Sequence, residues 1–168
     1  NILMATNVGG ILAGDINWTV LDSPYDITST IYIPHGATLT IEPGVTINNG
    51  EIEVYGILSA IGTATDSIYF NNVDIVPKGN NGLSFFINLA YVDINSGSLY
   101  APTGNSGDGS INLRDSIIRN IPYMYFHYPT QDCYIERNIF LNSGGISTGL
   151  DGPSVYIRNN IFYGQTTD

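Results

Sequence analysis

Six aromatic side chains carry the clearest chemistry in this sequence: Tyr123, Tyr125, Phe126, Tyr128, Tyr134 and Tyr156. The first five lie within residues 121–134, although Phe, Trp and Tyr make up only 11 % of the chain. Exposed rings stack on the apolar faces of sugars, and phenol hydroxyls bond to sugar hydroxyls. Such a surface needs no charge and no metal. Pro122 and Pro129 stiffen the segment and lower the entropy cost of presenting the rings. The competing use of the same rings is to cover the core beneath an insertion.

The charged residues fall into two aligned sets. Arg114, Glu136 and Arg158 are evenly spaced, and Asp115, Arg137 and Asn159 repeat the same interval. Stacking would set Glu136 between Arg114 and Arg158, and Arg137 beside Asp115. An arginine-lined groove suits acidic polysaccharide, because guanidinium forks grip carboxylates. Each arginine already has a carboxylate neighbour, however, so charge-matched ladders worth under about 1 kcal/mol per exposed pair are the preferred reading. A glycoside hydrolase needs two carboxylates facing one cleft. Asp93, Asp115 and Asp132 could lie near one face but do not all share one register, so they read as turn or surface acids, and no catalytic residue is assigned. His35 and His127 are far apart and form no metal-ligand pair, and no Ser-His-Asp arrangement is evident. The loop Asn105-Ser106-Gly107-Asp108-Gly109 has oxygen ligands and glycines, but not the repeated Asp positions of a calcium motif. No cofactor is assigned; Asn105 and Asp108 mark the one place where Ca²⁺ would fit.

The elements that must position these residues announce themselves by repetition. Leu113-Arg-Asp-Ser-Ile-Ile, Ile135-Glu-Arg-Asn-Ile-Phe and Ile157-Arg-Asn-Asn-Ile-Phe follow one another at one constant interval. That interval falls within the roughly 20–50 residues that mark a solenoid. Short apolar strands repeated this way, with no helix between, predict coils that bury their apolar faces against one another. Extrapolated backwards, the step reaches Tyr91. Upstream, Ile31/Ile33, Leu39/Ile41, Val45/Ile47, Ile52/Val54 and Ile68/Phe70 keep strand periodicity, with Pro43-Gly44, Asn49-Gly50 and Gly56 as turns. The expectation is an all-β, right-handed parallel β-helix of about six to seven coils. Residues 1–30 are expected to form an irregular cap with Trp18 as its plug, and residues 31–168 the helix, continuing beyond the C-terminus in a larger protein. Ser116, Asn138 and Asn160 share one coil position, which predicts an internal ladder of polar side chains bonded from coil to coil.

Composition narrows the partners. A net charge of −10 disfavours nucleic acid and anionic membrane surfaces. Neutral sugars and cations remain. No apolar run reaches the roughly 20 residues of a membrane span. Cys133 is the only cysteine, so no intrachain disulfide can form.

Residues 34–47, Pro-His-Gly-Ala-Thr-Leu-Thr-Ile-Glu-Pro-Gly-Val-Thr-Ile, and residues 53–70, Glu-Val-Tyr-Gly-Ile-Leu-Ser-Ala-Ile-Gly-Thr-Ala-Thr-Asp-Ser-Ile-Tyr-Phe, resemble the opening coils of secreted microbial right-handed parallel β-helix proteins, the pectate-lyase-like group. Trp18 and Pro24-Tyr25 look like the entry segment of that group, so the resemblance runs from about Trp18 onward. It implies fold and an extracellular or cell-surface setting. The group includes lyases, hydrolases, adhesins, surface-layer proteins and tailspikes, and no motif here selects one. The expectation is a non-catalytic module for adhesion or carbohydrate binding; the alternative is a polysaccharide lyase or glycoside hydrolase of the same fold. A homo-oligomer or further coils at the C-terminal end complete the expected partners.

Overall fold

The computed structural model describes residues 4–79, 82–100, 109–122, 124–126, 129–148 and 154–165, with only the backbone of Phe126. The strands begin with β1 (Thr6–Ile11), β2 (Ile16–Trp18), β3 (Tyr25–Ile33), β4 (Thr38–Ile41), β5 (Thr46–Val54) and β6 (Ile57–Ile61). Next come β7 (Ile68–Pro77), β8 (Phe85–Ala90), β9 (Val92–Tyr100), β10 (Gly109–Arg114), β11 (Ile117–Arg119) and β12 (Met124–Phe126). The last are β13 (Cys133–Glu136), β14 (Ile139–Leu141), β15 (Ile146–Thr148), β16 (Val155–Arg158) and β17 (Ile161–Tyr163). Every pairing between them is parallel, and partners are separated by about one coil in sequence. This is a parallel β-helix.

Two sheets wrap the core. The first, here the broad sheet, runs β1-β3-β5-β7-β9-β11-β14-β17, with β12 bridging β9 and β15. The second, the narrow sheet, stacks β2, β4, β6, β8, β10, β13 and β16, seven strands separated by six full turns. The long strands β3, β5, β7 and β9 bend midway, so the broad sheet presents two flanks. The bends need backbone in the left-handed region, and Asn49, Asn72, Ser96, Asn120 and Asn142 supply it at φ between 48° and 56°. Asn tolerates this region better than most side chains, because its amide bonds locally. Gly97 follows Ser96 at φ 115°, where a Cβ would collide with the Val73 carbonyl. No other residue fits there without moving the strand beside it.

A second left-handed column joins the narrow sheet to the first flank: Tyr91, Asp115, Arg137 and Asn159, at φ 50–58°. Its residues precede the polar ladder in sequence. Asn138 is 1 % exposed. Its Oδ1 accepts from the Ser116 N–H at 3.1 Å, and its Nδ2 donates to the Leu113 carbonyl at 2.9 Å. Asn160 repeats the arrangement one coil on: its Oδ1 accepts from the Asn138 N–H at 2.9 Å, and its Nδ2 donates to the Ile135 carbonyl at 2.8 Å. The ladder thus satisfies backbone groups that the corner strips of partners. The left-handed residues are its neighbours, not the ladder amides themselves.

The apolar pairs from Ile31 to Phe70 all lie inside, none more than 2 % exposed. Alternation sends every second side chain inward, and parallel register stacks them in columns about 4.8 Å apart. Leu113, Ile135 and Ile157 form one such column on β10, β13 and β16. Going back, Leu113 pairs with Leu89, not with a residue at the Tyr91 position. That coil is longer than those after it, and Tyr91 belongs to the corner. Strands also begin earlier than expected: β1 and β2 pair in parallel with β3 and β4, so residues 6–18 already run in the ladder. Trp18 is buried and stacks on Tyr25, with centroids 4.7 Å apart, at the first end of the core.

Candidate functional site

The narrow sheet turns Asn88, Asn112, Tyr134 and Tyr156 outward in one column, because Ile87, Ile111, Cys133 and Val155 face in from the preceding positions. The Asn112 amide donates to the Asn88 amide oxygen at 2.9 Å. The Tyr134 and Tyr156 rings stack at 5.0 Å and 11°. Stacking along the solenoid axis covers the faces the rings turn to each other, leaving edges and hydroxyls outward. Desolvation, then the Asp132 carboxylate, pushes the Tyr134 phenol above its usual range, so it remains a donor at neutral pH. Tyr125 belongs elsewhere: it sits on β12 in the second flank and stacks on Tyr100 at 6.0 Å. Tyr123, Tyr128 and the Phe126 side chain lie outside the described residues, as do Asn105, Asp108 and His127. Of the described candidates, Tyr134 and Tyr156 share the narrow sheet and Tyr125 lies on the second flank, so these three do not form a single surface.

The charged positions pair more tightly than spacing alone suggests. Arg137 grips Asp115 with both arms, Nε to Oδ1 at 2.7 Å and Nη2 to Oδ2 at 2.8 Å. Its remaining arm reaches Glu136 at 3.1 Å. Glu136, only 8 % exposed, is completed by Arg158 at 2.5 Å, and Arg158 also lies over the Tyr156 ring. The register sets Glu136 between Arg114 and Arg158 as expected, while the side-chain bonds it accepts come from Arg158 and Arg137. The left-handed backbone of Arg137 swings its side chain back toward both acids. Asp132 caps a different spot, accepting from the Ser154 N–H at 3.0 Å.

Beside this corner lies a groove of about 460 Å³. Its floor is the outward column of the first flank, Tyr69, Asp93, Ile117 and Ile139, and its wall is Tyr91, Asp115 and Arg137. Asp93 lies one repeat step before Asp115, yet the longer coil between them sets Asp93 in register with Ile117, so the two acids lie on different columns that meet across a corner. Tyr69 and Tyr91 gave no signal as site residues, and only the three-dimensional coil reveals them. Both rings are substantially exposed.

The electrostatics of the groove are balanced. Asp115 is held below the usual carboxylate range, first by its hydrogen bonds to Arg137. Asp93 pairs with Arg119, while its Oδ1 is buried and has no hydrogen-bond partner among the described residues. Two acids are matched by two arginines. A general acid needs a carboxyl whose pKa is raised toward the working pH, and Asp115 is shifted the other way. Cys133 is no nucleophile either: it is buried, desolvation pushes its thiol up, and its sulfur accepts from the Ile111 N–H at 3.3 Å. Among the described residues no cluster of three His, Cys, Asp or Glu side chains is placed to hold a metal, and no helix is long and apolar enough to cross a membrane. Comparison with protein-family models, with curated proteins and with solved structures finds no match for this chain.

Proposed function

We propose that this chain is a non-catalytic, extracellular or cell-surface β-helix module that binds neutral carbohydrate. The observation that carries the proposal is the groove beside the corner. It offers two exposed tyrosines, an apolar floor of Ile117 and Ile139, and carboxylates already matched to arginines. Neutral sugars suit such a surface: rings cover C–H faces, and carboxylate oxygens accept hydroxyl protons without a net charge to satisfy. The outward amides and phenols of the narrow sheet extend the polar surface around the corner.

A second reading, a polysaccharide lyase or hydrolase, is favoured by one fact alone, that Asp93 and Asp115 line the same groove. A glycan array run beside lyase and reducing-sugar assays separates the two. Binding without turnover is the expected result. Turnover that disappears in Asp93→Asn would establish the enzyme instead, and neither binding nor turnover would leave a structural stalk.

A further inference from the structure

We infer that Tyr91 is the residue on which the ligand of the groove stacks, held there against the preference of its own backbone. The inference rests on the carbohydrate reading of the groove and names the ring that selects the sugar.

The left-handed corners show the cost. Cβ crowds the carbonyl in this region, so short residues whose side chains bond locally suit it best. Asn49, Asn72, Asn120, Asn142 and Asn159 occupy such corners, and Ser96 and Asp115 are short as well. Among the described residues only Tyr91, at φ 50°, and Arg137, at φ 56°, place a large side chain there. Both line the groove.

Arg137 has a reason in the fold, because its guanidinium holds Asp115 and Glu136. Tyr91 has none of that kind. Among the described residues its phenol makes no hydrogen bond and its ring stacks on no other, and it is 37 % exposed. Its backbone is pinned whatever side chain it carries. The Tyr91 N–H donates to the Arg114 carbonyl at 3.3 Å, and the Tyr91 carbonyl accepts from the Ile68 N–H at 3.1 Å. Gly62 packs so closely on that carbonyl that a Cβ would come within 2.5 Å of it. The corner therefore requires the left-handed backbone but not the ring, and Asn159 fills the same position later in the column. A bulky side chain kept at a strained position, with no polar or ring partner, marks a contact made to a ligand.

Its neighbour says what that ligand meets. One coil on, about 4.8 Å along the wall, stands Asp115. Each of its carboxylate oxygens accepts one Arg137 N–H and retains a further lone pair. A neutral pyranose with its C–H face on Tyr91 finds acceptors there for the hydroxyls at its edge.

The test is calorimetric titration with neutral tetrasaccharides of glucose, galactose, mannose and xylose, run beside thermal unfolding on the native chain and its variants. Tyr91→Gly and Tyr91→Ala both remove the ring and differ only in Cβ. Tyr91→Gly should melt above Tyr91→Ala by about 2–4 °C, because only Ala keeps the left-handed strain. Both should weaken binding of the tightest tetrasaccharide by about tenfold or more. Tyr91→Phe keeps the ring face and should retain most of the affinity. Tyr32→Ala removes a ring of nearly equal exposure, 38 %, from β3 and should leave binding unchanged. A Gly variant that melts no higher than the Ala variant overturns the inference. So does undiminished binding by Tyr91→Gly, and so do Gly and Ala variants that both fail to fold, since the ring then serves the fold. Each of these leaves sugar binding by the native chain standing. A native chain that binds none of the tetrasaccharides overturns the carbohydrate reading, and this inference with it.

Discussion

The early coils and the late coils solve the same problem with different chemistry. From β3 to β9 the outer surface is stitched by amides: Asn48 donates to Asp26 at 2.9 Å and Asn71 to Asn48 at 3.0 Å, while Asn72 donates to Asn49 at 3.2 Å. From β11 onward the column of Asn48 and Asn71 carries Arg119, Leu141 and Tyr163, and the neighbouring column of Tyr69 and Asp93 carries Ile117, Ile139 and Ile161. Inside, the early coils are sealed and the last is open. The ladder that holds the late coils runs instead along the corner, through Ser116, Asn138 and Asn160. A solenoid needs one satisfied polar column per corner and one sealed apolar column per face. Where those columns run is set coil by coil. The groove lies where the two regimes meet, with Tyr69 and Asp93 from the early coils beside Ile117 and Ile139 from the late ones.

The sharpest way to break this contrast is to make one substitution at two depths of one column. Phe140 and Phe162 stack at 4.7 Å, yet Phe140 is sealed and Phe162 is not. Phe140→Ala should destabilise by about 3–5 kcal/mol, the cost of a large core cavity. Phe162→Ala should cost a small fraction of that in a dilute, monomeric sample. Equal shifts in denaturation midpoint would show that the last coil is as well packed as the middle.

Next in size is the corner ladder. Asn138→Ala strands the Ser116 N–H and the Leu113 carbonyl, and should cost about 1–3 kcal/mol. Asn160→Ala, partly buried at the open end, should cost less. An unchanged midpoint for Asn138→Ala would show that the ladder contributes no stability.

The smallest effect is electrostatic. Asp115 titrates below its ordinary value because Arg137 holds its ionised form. Its contribution is present above the unfolded pKa of about 3.9 and is lost as pH falls through the lower folded value. With the pair partly exposed, the difference between the native chain and Asp115→Asn should stay within about 1 kcal/mol. That difference should shrink in acid below about pH 4. A difference that grows in acid would reverse the sign.

The sequence discloses architecture where coils are uninterrupted. Leu113, Ile135 and Ile157 align at a constant step because nothing intervenes to change the coil length. Earlier steps vary: the one from Leu39 to Leu58 is shorter and the one from Leu58 to Ile87 longer, as turns of different length connect the second flank to the narrow sheet. That variation hides the register of Tyr91. The first coil is hidden for another reason. β1 reads Thr-Asn-Val-Gly-Gly-Ile, too poor in apolar alternation to announce a strand, and only pairing with β3 makes it one. The amide ladder was legible, since similar residue types recur at one spacing. The groove was not, because its floor and wall come from columns with different phases, and spacing within one column says nothing about what faces it across a corner. Aromatic density along residues 121–134 likewise says nothing about direction: the described rings of Tyr125 and Tyr134 leave on different faces.

The most direct test of carbohydrate binding in the groove is calorimetric titration with the neutral oligosaccharide that binds best on the array, using the native chain, Tyr69→Ala and Tyr156→Ala. Both substituted residues are exposed, so folding should be retained, and a thermal unfolding curve checks it. Tyr69→Ala should weaken binding by about tenfold or more, roughly 1.4 kcal/mol or more, while Tyr156→Ala should leave it nearly unchanged. Binding that survives Tyr69→Ala and is lost in Tyr156→Ala would contradict a site in the groove and move it to the narrow sheet.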